Sequence, residues 1–167
     1  MRSTHDAIRH VEDVVTGAAW TVGIVLRYGG FYGPGTSLDP PNGEHVELVR
    51  KRRFPVVGGG TGVWSFVHIE DAAAATVAAV ERGRRGIYNV VDDEPARVAD
   101  WLPVAARAVG GKPPRRVPRA IGRLLAGDVA AVLMTDARGA SNAKAKRELG
   151  WQPRHPSMVR AFAEGAV

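Results

Sequence analysis

Apolar residues recur at helical spacing near the start of the chain: Ala7, Ile8, Val11, Val14 and Val15, with Gly17 where a C-terminal stop belongs. The spacing predicts a helix over 5–17. The short run at 22–26 is apolar and partly β-branched, which predicts a buried strand. The stretch 28–43 is rich in Gly and Pro and reads as loop, and 44–52 reads as a short helix. Two strands are predicted over 54–57 and 63–67, flanking Gly58-Gly59-Gly60-Thr61-Gly62. An alanine-rich helix follows over 69–82, ended by Gly83, then a strand over 86–91. A helix over 98–109 carries Pro103 near its first turns. Pro113, Pro114 and Pro118 punctuate a connection, after which 121–125, 129–134 and 142–149 read as short helices and Pro156 opens a last one.

Strands alternating with helices argue for an α/β protein with some parallel sheet. The spans 22–26 and 86–91 are the two that read as buried parallel strands, and two strands make a poor sheet alone. The expected fold is a partial Rossmann-like parallel sheet with a mostly helical C-terminal lobe. It forms a single domain over 1–167, with the sheet remnant in 1–95 and the helical lobe in 96–167.

Composition narrows the function classes. The 167 residues are 45% hydrophobic and 24% charged, the balance of a globular protein with a core. No apolar run reaches the ~18 residues of a membrane span, and residues 1–20 lack the apolar centre of a secretory signal. A cytoplasmic location and no membrane partner are expected. The absence of cysteine excludes disulfides, a thiol nucleophile and Cys-based zinc sites. The net charge of +6 favours anionic partners. The basic residues are scattered, however, and the runs at 50–53 and 115–116 have no interleaved aromatics to stack bases. This argues against a dedicated nucleic-acid binder.

Several blocks then line up in order. Leu26-Arg27-Tyr28-Gly29-Gly30-Phe31-Tyr32-Gly33-Pro34-Gly35 resembles the Leu-Arg…Tyr-Gly-Pro-Gly segment of the extended short-chain dehydrogenases, the NAD(P)-dependent epimerase/dehydratase family. The blocks Phe66-Val67-His68-Ile69-Glu70-Asp71 and Ile87-Tyr88-Asn89-Val90-Val91-Asp92-Asp93-Glu94-Pro95 are similar to its next segments. Ser141 to Pro153, with Lys144, Lys146, Glu148, Leu149, Gly150 and Trp151, is similar to its C-terminal signature.

The resemblance covers the C-terminal half of such a protein. It implies NAD or NADP as cofactor, a small-molecule substrate and hydride transfer to and from a nicotinamide. In the family, the stretch matching Tyr28, Gly29, Gly30 and Phe31 lies against the nicotinamide ring and reaches toward substrate, which makes these four the expected cofactor-binding residues. Phe31, Trp64 and Ser65 are the expected substrate residues. Sugar-nucleotide members often carry Arg-Asp where this chain has Trp64-Ser65, so a diphosphate clamp is not expected there. Trp64 reads equally as the wall of an apolar cavity or as a core tryptophan.

Two family features are missing. No Gly-rich turn able to seat a pyrophosphate at a helix N-terminus lies near residue 1. The glycines at 58–62 precede a strand instead and read as a tight β connection. The family's Tyr-x-x-x-Lys also has no counterpart. With Glu12 matched to the glutamate that commonly follows the lysine, the lysine falls at Ile8 and the tyrosine at Thr4, and neither has the chemistry. No Tyr or Lys precedes Tyr28. No catalytic residue is assigned, and the chain alone is expected to be inactive, either a fragment or a relative without the standard site. A non-catalytic ligand- or protein-binding remnant is the alternative.

His68 and Asp71 look like a dyad, but His-Ile-Glu-Asp opens a helix and the acids read as N-terminal dipole and cap partners. The histidines share no metal-binding spacing, so no metal ligand is assigned. Asp92-Asp93-Glu94-Pro95 reads as an exposed acidic turn. Without upstream strands, 22–26 would leave an open edge, so self-association through it is expected.

Overall fold

The computed structural model describes residues 2–40 and 42–166. The chain runs α1 (Arg2–Gly17), β1 (Ile24–Tyr28), β2 (Gly30–Tyr32), α2 (Glu44–Arg50), β3 (Val56–Val57), β4 (Val63–Trp64), β5 (Phe66–His68) and α3 (Ile69–Arg82). It continues through β6 (Gly86–Val90), β7 (Ala96–Arg97), α4 (Val98–Ala108), β8 (Arg116–Val117), α5 (Arg119–Thr135), α6 (Ala143–Leu149) and α7 (Met158–Glu164). The architecture is α/β, with its strands paired two by two: β1 with β6, β2 with β5 and β3 with β8 in parallel, β4 with β7 antiparallel. No helix among the described residues is long and apolar enough to cross a membrane.

The two apolar strands pair with each other, Ile24 opposite Gly86 and Tyr28 opposite Val90. β1 is only half-buried, however, and Val22 lies exposed before it. The sequence suggested a fully covered strand. Here β1 has a paired neighbour on one edge only.

Two clusters make the core. One gathers Tyr32, Phe66, Val98, Trp101, Leu102, Met158 and Phe162. The other packs the alanine face of α3 against Val67, Tyr88, Val90, Leu149 and Trp151. Each draws side chains from both sides of residue 95.

Other differences from the sequence reading have local causes. Gly30–Tyr32, inside the expected loop, is a strand because its backbone takes up pairing with Phe66–His68. The brief strands β7 and β8 arise only from tertiary pairing, since two residues carry no periodicity. The two short helices expected at 121–134 form one element broken at Gly127, whose φ of 83° and ψ of 171° are open to glycine. α1 forms as expected, yet its apolar residues Ile8, Val11 and Val14 face solvent, while Glu12 is the buried member of the helix among the described side chains.

Candidate functional site

At the carboxyl end of β1 the chain changes partners. The Gly29 N–H donates to the Val90 carbonyl at 3.1 Å, and the next N–H, of Gly30, donates to the Ser65 carbonyl at 2.9 Å. One residue thus transfers the strand from β6 to β5. A Cβ on Gly29 would lie 2.7 Å from the Ser65 oxygen and 2.9 Å from the Phe66 carbonyl carbon, closer than backbone atoms tolerate. At Gly30 it would meet the Phe66 ring at 3.2 Å, with the Ser65 oxygen at an ordinary 3.8 Å. The close approach belongs to Gly29.

This split opens a groove of about 620 Å³, within the usual range for small-molecule pockets. Tyr28, Gly29 and Gly30 form its floor, with Asn89 and Val91 beside them, and Trp64 and Ser65 form one wall. Trp64 is half-buried, its ring 5.3 Å from that of Trp101 and 6.2 Å from that of Phe66. It is therefore wall and core support at once. Phe31 does not line the groove. It lies beside Tyr28, ring centroids 5.4 Å apart, and is exposed.

The opposite wall comes from the segment 133–141, through Leu133 and residues 137–141, and no sequence motif marks it as part of a site. Six hydrogen bonds with residues 61–65 and 89 strap its backbone down. Thr61 Oγ1 donates to Thr135 O at 2.6 Å and Asn89 Nδ2 to Ser141 O at 3.3 Å. Leu133 O accepts from the Trp64 Nε1–H at 2.7 Å and Met134 O from the Gly62 N–H at 3.0 Å. Ala137 O accepts from the Val63 N–H at 2.8 Å, and the Ala140 N–H donates to Ser65 Oγ at 2.8 Å. Arg138 sits between the last two ties, exposed, lining the groove, with no ion-pair partner among the described residues. The other lining cation, Arg27, is bonded to Glu12 through two hydrogen bonds of 2.6 and 2.5 Å, and its guanidinium holds the Glu12 carboxyl below its ordinary pKa. Tyr28 shares a 2.5 Å hydrogen bond with Thr76. Thr4 and Ile8, which stand where the family has its tyrosine and lysine, lie exposed on α1. Gly58 to Gly62 link β3 to β4 and precede no helix.

A second polar cluster lies apart from the groove. His68 caps α3, its Nδ1 accepting from the Glu70 N–H at 3.3 Å. The cap is the histidine, not an acid. Asp71 is buried and turns its carboxylate to the other end of the chain, accepting from the Arg154 and His155 N–H groups at 2.8 Å each. His68 and Asp71 therefore serve separate backbones and form no dyad. His68, Glu70 and His155 each have a ligand-type atom within 4.8 Å of the others. The two imidazoles are stacked, however, so their in-plane lone pairs do not converge on one point, and His68 Nδ1 is taken by the cap. Asp92, read from sequence as part of an exposed turn, is buried: its Oδ2 accepts from the Met158 N–H at 3.0 Å and its Oδ1 has no hydrogen-bond partner. Desolvation pushes its pKa up to about 7 against the backbone N–H groups that favour the anion. Buried Asn142 ties this turn down, donating to Val91 O at 2.9 Å and to Asp93 Oδ1 at 2.6 Å. Nothing in the sequence pattern marked that asparagine.

Residues 8–91 match the NAD dependent epimerase/dehydratase family. A 3-diazoavenalumate denitrifying reductase from a Streptomyces species is 43% identical over 155 residues, which is 93% of this chain and 50% of the reductase. A UDP-glucose 4-epimerase from Corynebacterium glutamicum is 34% identical over 110 residues, 64% of this chain and 30% of the epimerase. The chain thus spans half the length of the reductase, and its match to the epimerase is shorter. Among solved structures, a human epimerase family protein crystallised with NADPH superposes with a TM-score of 0.68 at 21% identity, covering 88% of this chain and 49% of that one. The fold is therefore that of the Rossmann-type epimerases and oxidoreductases. Together with the match across half of its residues, this shows that the chain belongs to the NAD dependent epimerase/dehydratase family.

Proposed function

We propose that the groove is the substrate-side wall of an NAD(P)-dependent reductase site, and that this chain supplies that wall without supplying a proton-transfer pair. The observation that carries the reading is the convergence on one cavity of Tyr28, Gly29 and Gly30 from the sheet crossover and Trp64 and Ser65 from the neighbouring turn. Open α/β sheets hold ligands at the carboxyl ends of their strands, where partners change. The side-chain-free backbone at Gly29 and Gly30 gives a flat floor that fits the edge of a nicotinamide ring. When bound, the nicotinamide would supply or accept hydride. Tyr28 to Gly30 would orient the ring through backbone groups, and Trp64 would exclude water from one side of the substrate. A reductase is favoured over a sugar-nucleotide epimerase on two grounds. The reductase relative is similar over more of the chain, and Trp64 offers no charged fork for a diphosphate.

The chain's own side chains do not complete a reaction. Thr4 and Ile8 cannot move a proton at neutral pH, and the hydroxyl of Tyr28 is committed to Thr76. The isolated chain is therefore read as catalytically silent, binding NAD(P) weakly or not at all, and a cytoplasmic location suits a cysteine-free nicotinamide-linked protein.

A chimera tests this. The half of the Streptomyces reductase that lies outside the matched region, joined ahead of this chain, should bind NAD(P) and oxidise its reduced form with a small aromatic acceptor. Trp64→Arg in that chimera should raise KM more than it lowers kcat. The 167-residue chain alone should do neither. A folded chimera that binds no nicotinamide, or micromolar NAD(P) binding by the isolated monomer, would refute the reading.

A further inference from the structure

Resting on that reading of the groove, we infer that its ligand is a planar aromatic carboxylate, with the ring against Trp64 and the carboxylate on Arg138. The lining contains two cationic side chains and, among the described residues, no acidic one. The two cations are not equivalent. Arg27 is held in a bidentate pair by Glu12, so its charge is already matched. Arg138 has no ion-pair partner among the described residues and lies on a segment whose backbone is fixed on either side, at Ala137 O and at the Ala140 N–H. Its Cα is placed by those bonds while its guanidinium is free to turn, and a free guanidinium fork matches a carboxylate with two parallel hydrogen bonds.

The remaining surface selects the body of the ligand. Trp64 packs on Trp101, Phe54 and Phe66 and contributes an indole to the groove wall. Its Nε1–H is spent on the Leu133 carbonyl, so the ring meets a ligand as an aromatic surface and not as a donor. Val63, Val91 and Leu133 continue the apolar lining, and the glycine floor admits a flat group close to the backbone. The uncharged polar side chains of the lining are already engaged, Ser65 Oγ with the Ala140 N–H, Asn89 Nδ2 with the Ser141 carbonyl and Ser141 Oγ with the Ala143 N–H. A sugar would therefore set most of its hydroxyls against apolar side chains, at a cost for each buried polar group. A flat apolar ring with one negative end sets none there.

The test uses the chain itself, with 2-naphthoate, its neutral isostere 2-naphthamide and inorganic pyrophosphate as probes. Binding is followed by the shift of the Trp64 indole N–H resonance, assigned with Trp64→Phe. The naphthoate should move that resonance saturably, the amide should bind at least about tenfold more weakly, and pyrophosphate should not displace the naphthoate. In Arg138→Gln the naphthoate should fall to the level of the amide. The amide itself should bind both proteins alike, which shows that the groove is intact in the variant. Equal binding of acid and amide, an acid preference that survives Arg138→Gln, or tighter binding of pyrophosphate than of naphthoate would each overturn the inference. These outcomes are independent of nicotinamide binding by the chimera, so the aromatic-acid assignment can fail while the reductase reading stands.

Discussion

The imidazole of His155 lies on that of His68, ring centroids 3.8 Å apart and planes 26° apart. The pair joins the start of α3 to the segment before α7, and Asp71 reinforces the junction by accepting both backbone N–H groups at 154 and 155. Tyr32 meets His68 edge-on from β2. Its hydroxyl donates to the His155 carbonyl at 3.2 Å, and burial pushes the phenol pKa up.

Burial first, and the neighbouring His155 second, lower the His68 pKa from 6.5, against the opposing pull of Glu70 and Asp71. The unfolded chain therefore takes up a proton at His68 at a higher pH than the folded one. The stability contributed by neutral His68 is present above 6.5 and is lost as pH falls below that value toward the folded pKa. An NMR titration of the ring carbons should give a midpoint for His68 below 6.5. A midpoint above that value would contradict the buried stack.

Asp92 slopes the other way. Its folded pKa is about 7 against an ordinary 3.8, so the folded state binds a proton that the unfolded chain has released. Its contribution to stability falls as pH rises from 3.8 to about 7 and is at its lowest above that. Asp92→Asn keeps an acceptor for the Met158 N–H and removes the charge. Urea melts should show the variant gaining on the parent by roughly 1–3 kcal/mol more at pH 8 than at pH 4. A pH-independent difference would count against a buried, uncompensated carboxylate.

Gly29→Ala should cost about 1–3 kcal/mol, since the methyl must displace the Ser65 and Phe66 backbone. Gly30→Ala should cost less, because the Phe66 ring can give way. Comparable denaturation midpoints for the two variants would show that the strand crossover is not close-packed at Gly29.

The chain should associate with itself. β1 leaves one edge unpaired, and Ile8, Val11 and Val14 of α1 stand 53–59% exposed beside Trp20 at 88%. Light scattering behind size-exclusion chromatography should show a mass that rises with concentration. Replacing Ile8, Val11 and Val14 with Glu should restore the monomer. A parent chain that stays monomeric at high concentration would show that this surface is tolerated in water.

Much of this was legible beforehand because it rests on local signals. The alanine-rich run closed by Gly83 placed α3 and the apolar run at 22–26 placed β1 to within two residues, whereas the crossover at Gly29–Gly30 lay inside the expected loop. Five of the six residues singled out for the site line one groove, and Phe31 does not. What could not be read was set by contacts distant in sequence. Ser65 binds Ala140 across 75 residues, Asp71 binds His155 across 84, and Asn142 reaches Val91 across 51. Arg138 looked like any surface arginine until the ties on either side placed it at a cavity. Burial of Asp92 was concealed by its acidic neighbours, which remain at the surface bound to Lys146 and Arg160.

From its own side the strap at 133–141 is held mostly through backbone groups, which bond to Thr61 Oγ1, the Gly62 and Val63 N–H groups, Trp64 Nε1, Ser65 Oγ and Asn89 Nδ2. The exposed side chain of Arg138 can therefore be exchanged without loosening it, whereas Met134 belongs to the core, Asp136 pairs with Arg119, and Gly139, like Gly29 on the floor, has no room for a side chain. Position 138 is thus separable from the side chains that hold the structure. Relatives sharing this crossover can vary position 138 while keeping the fold, and a designer could change the groove's charge there without repacking the protein.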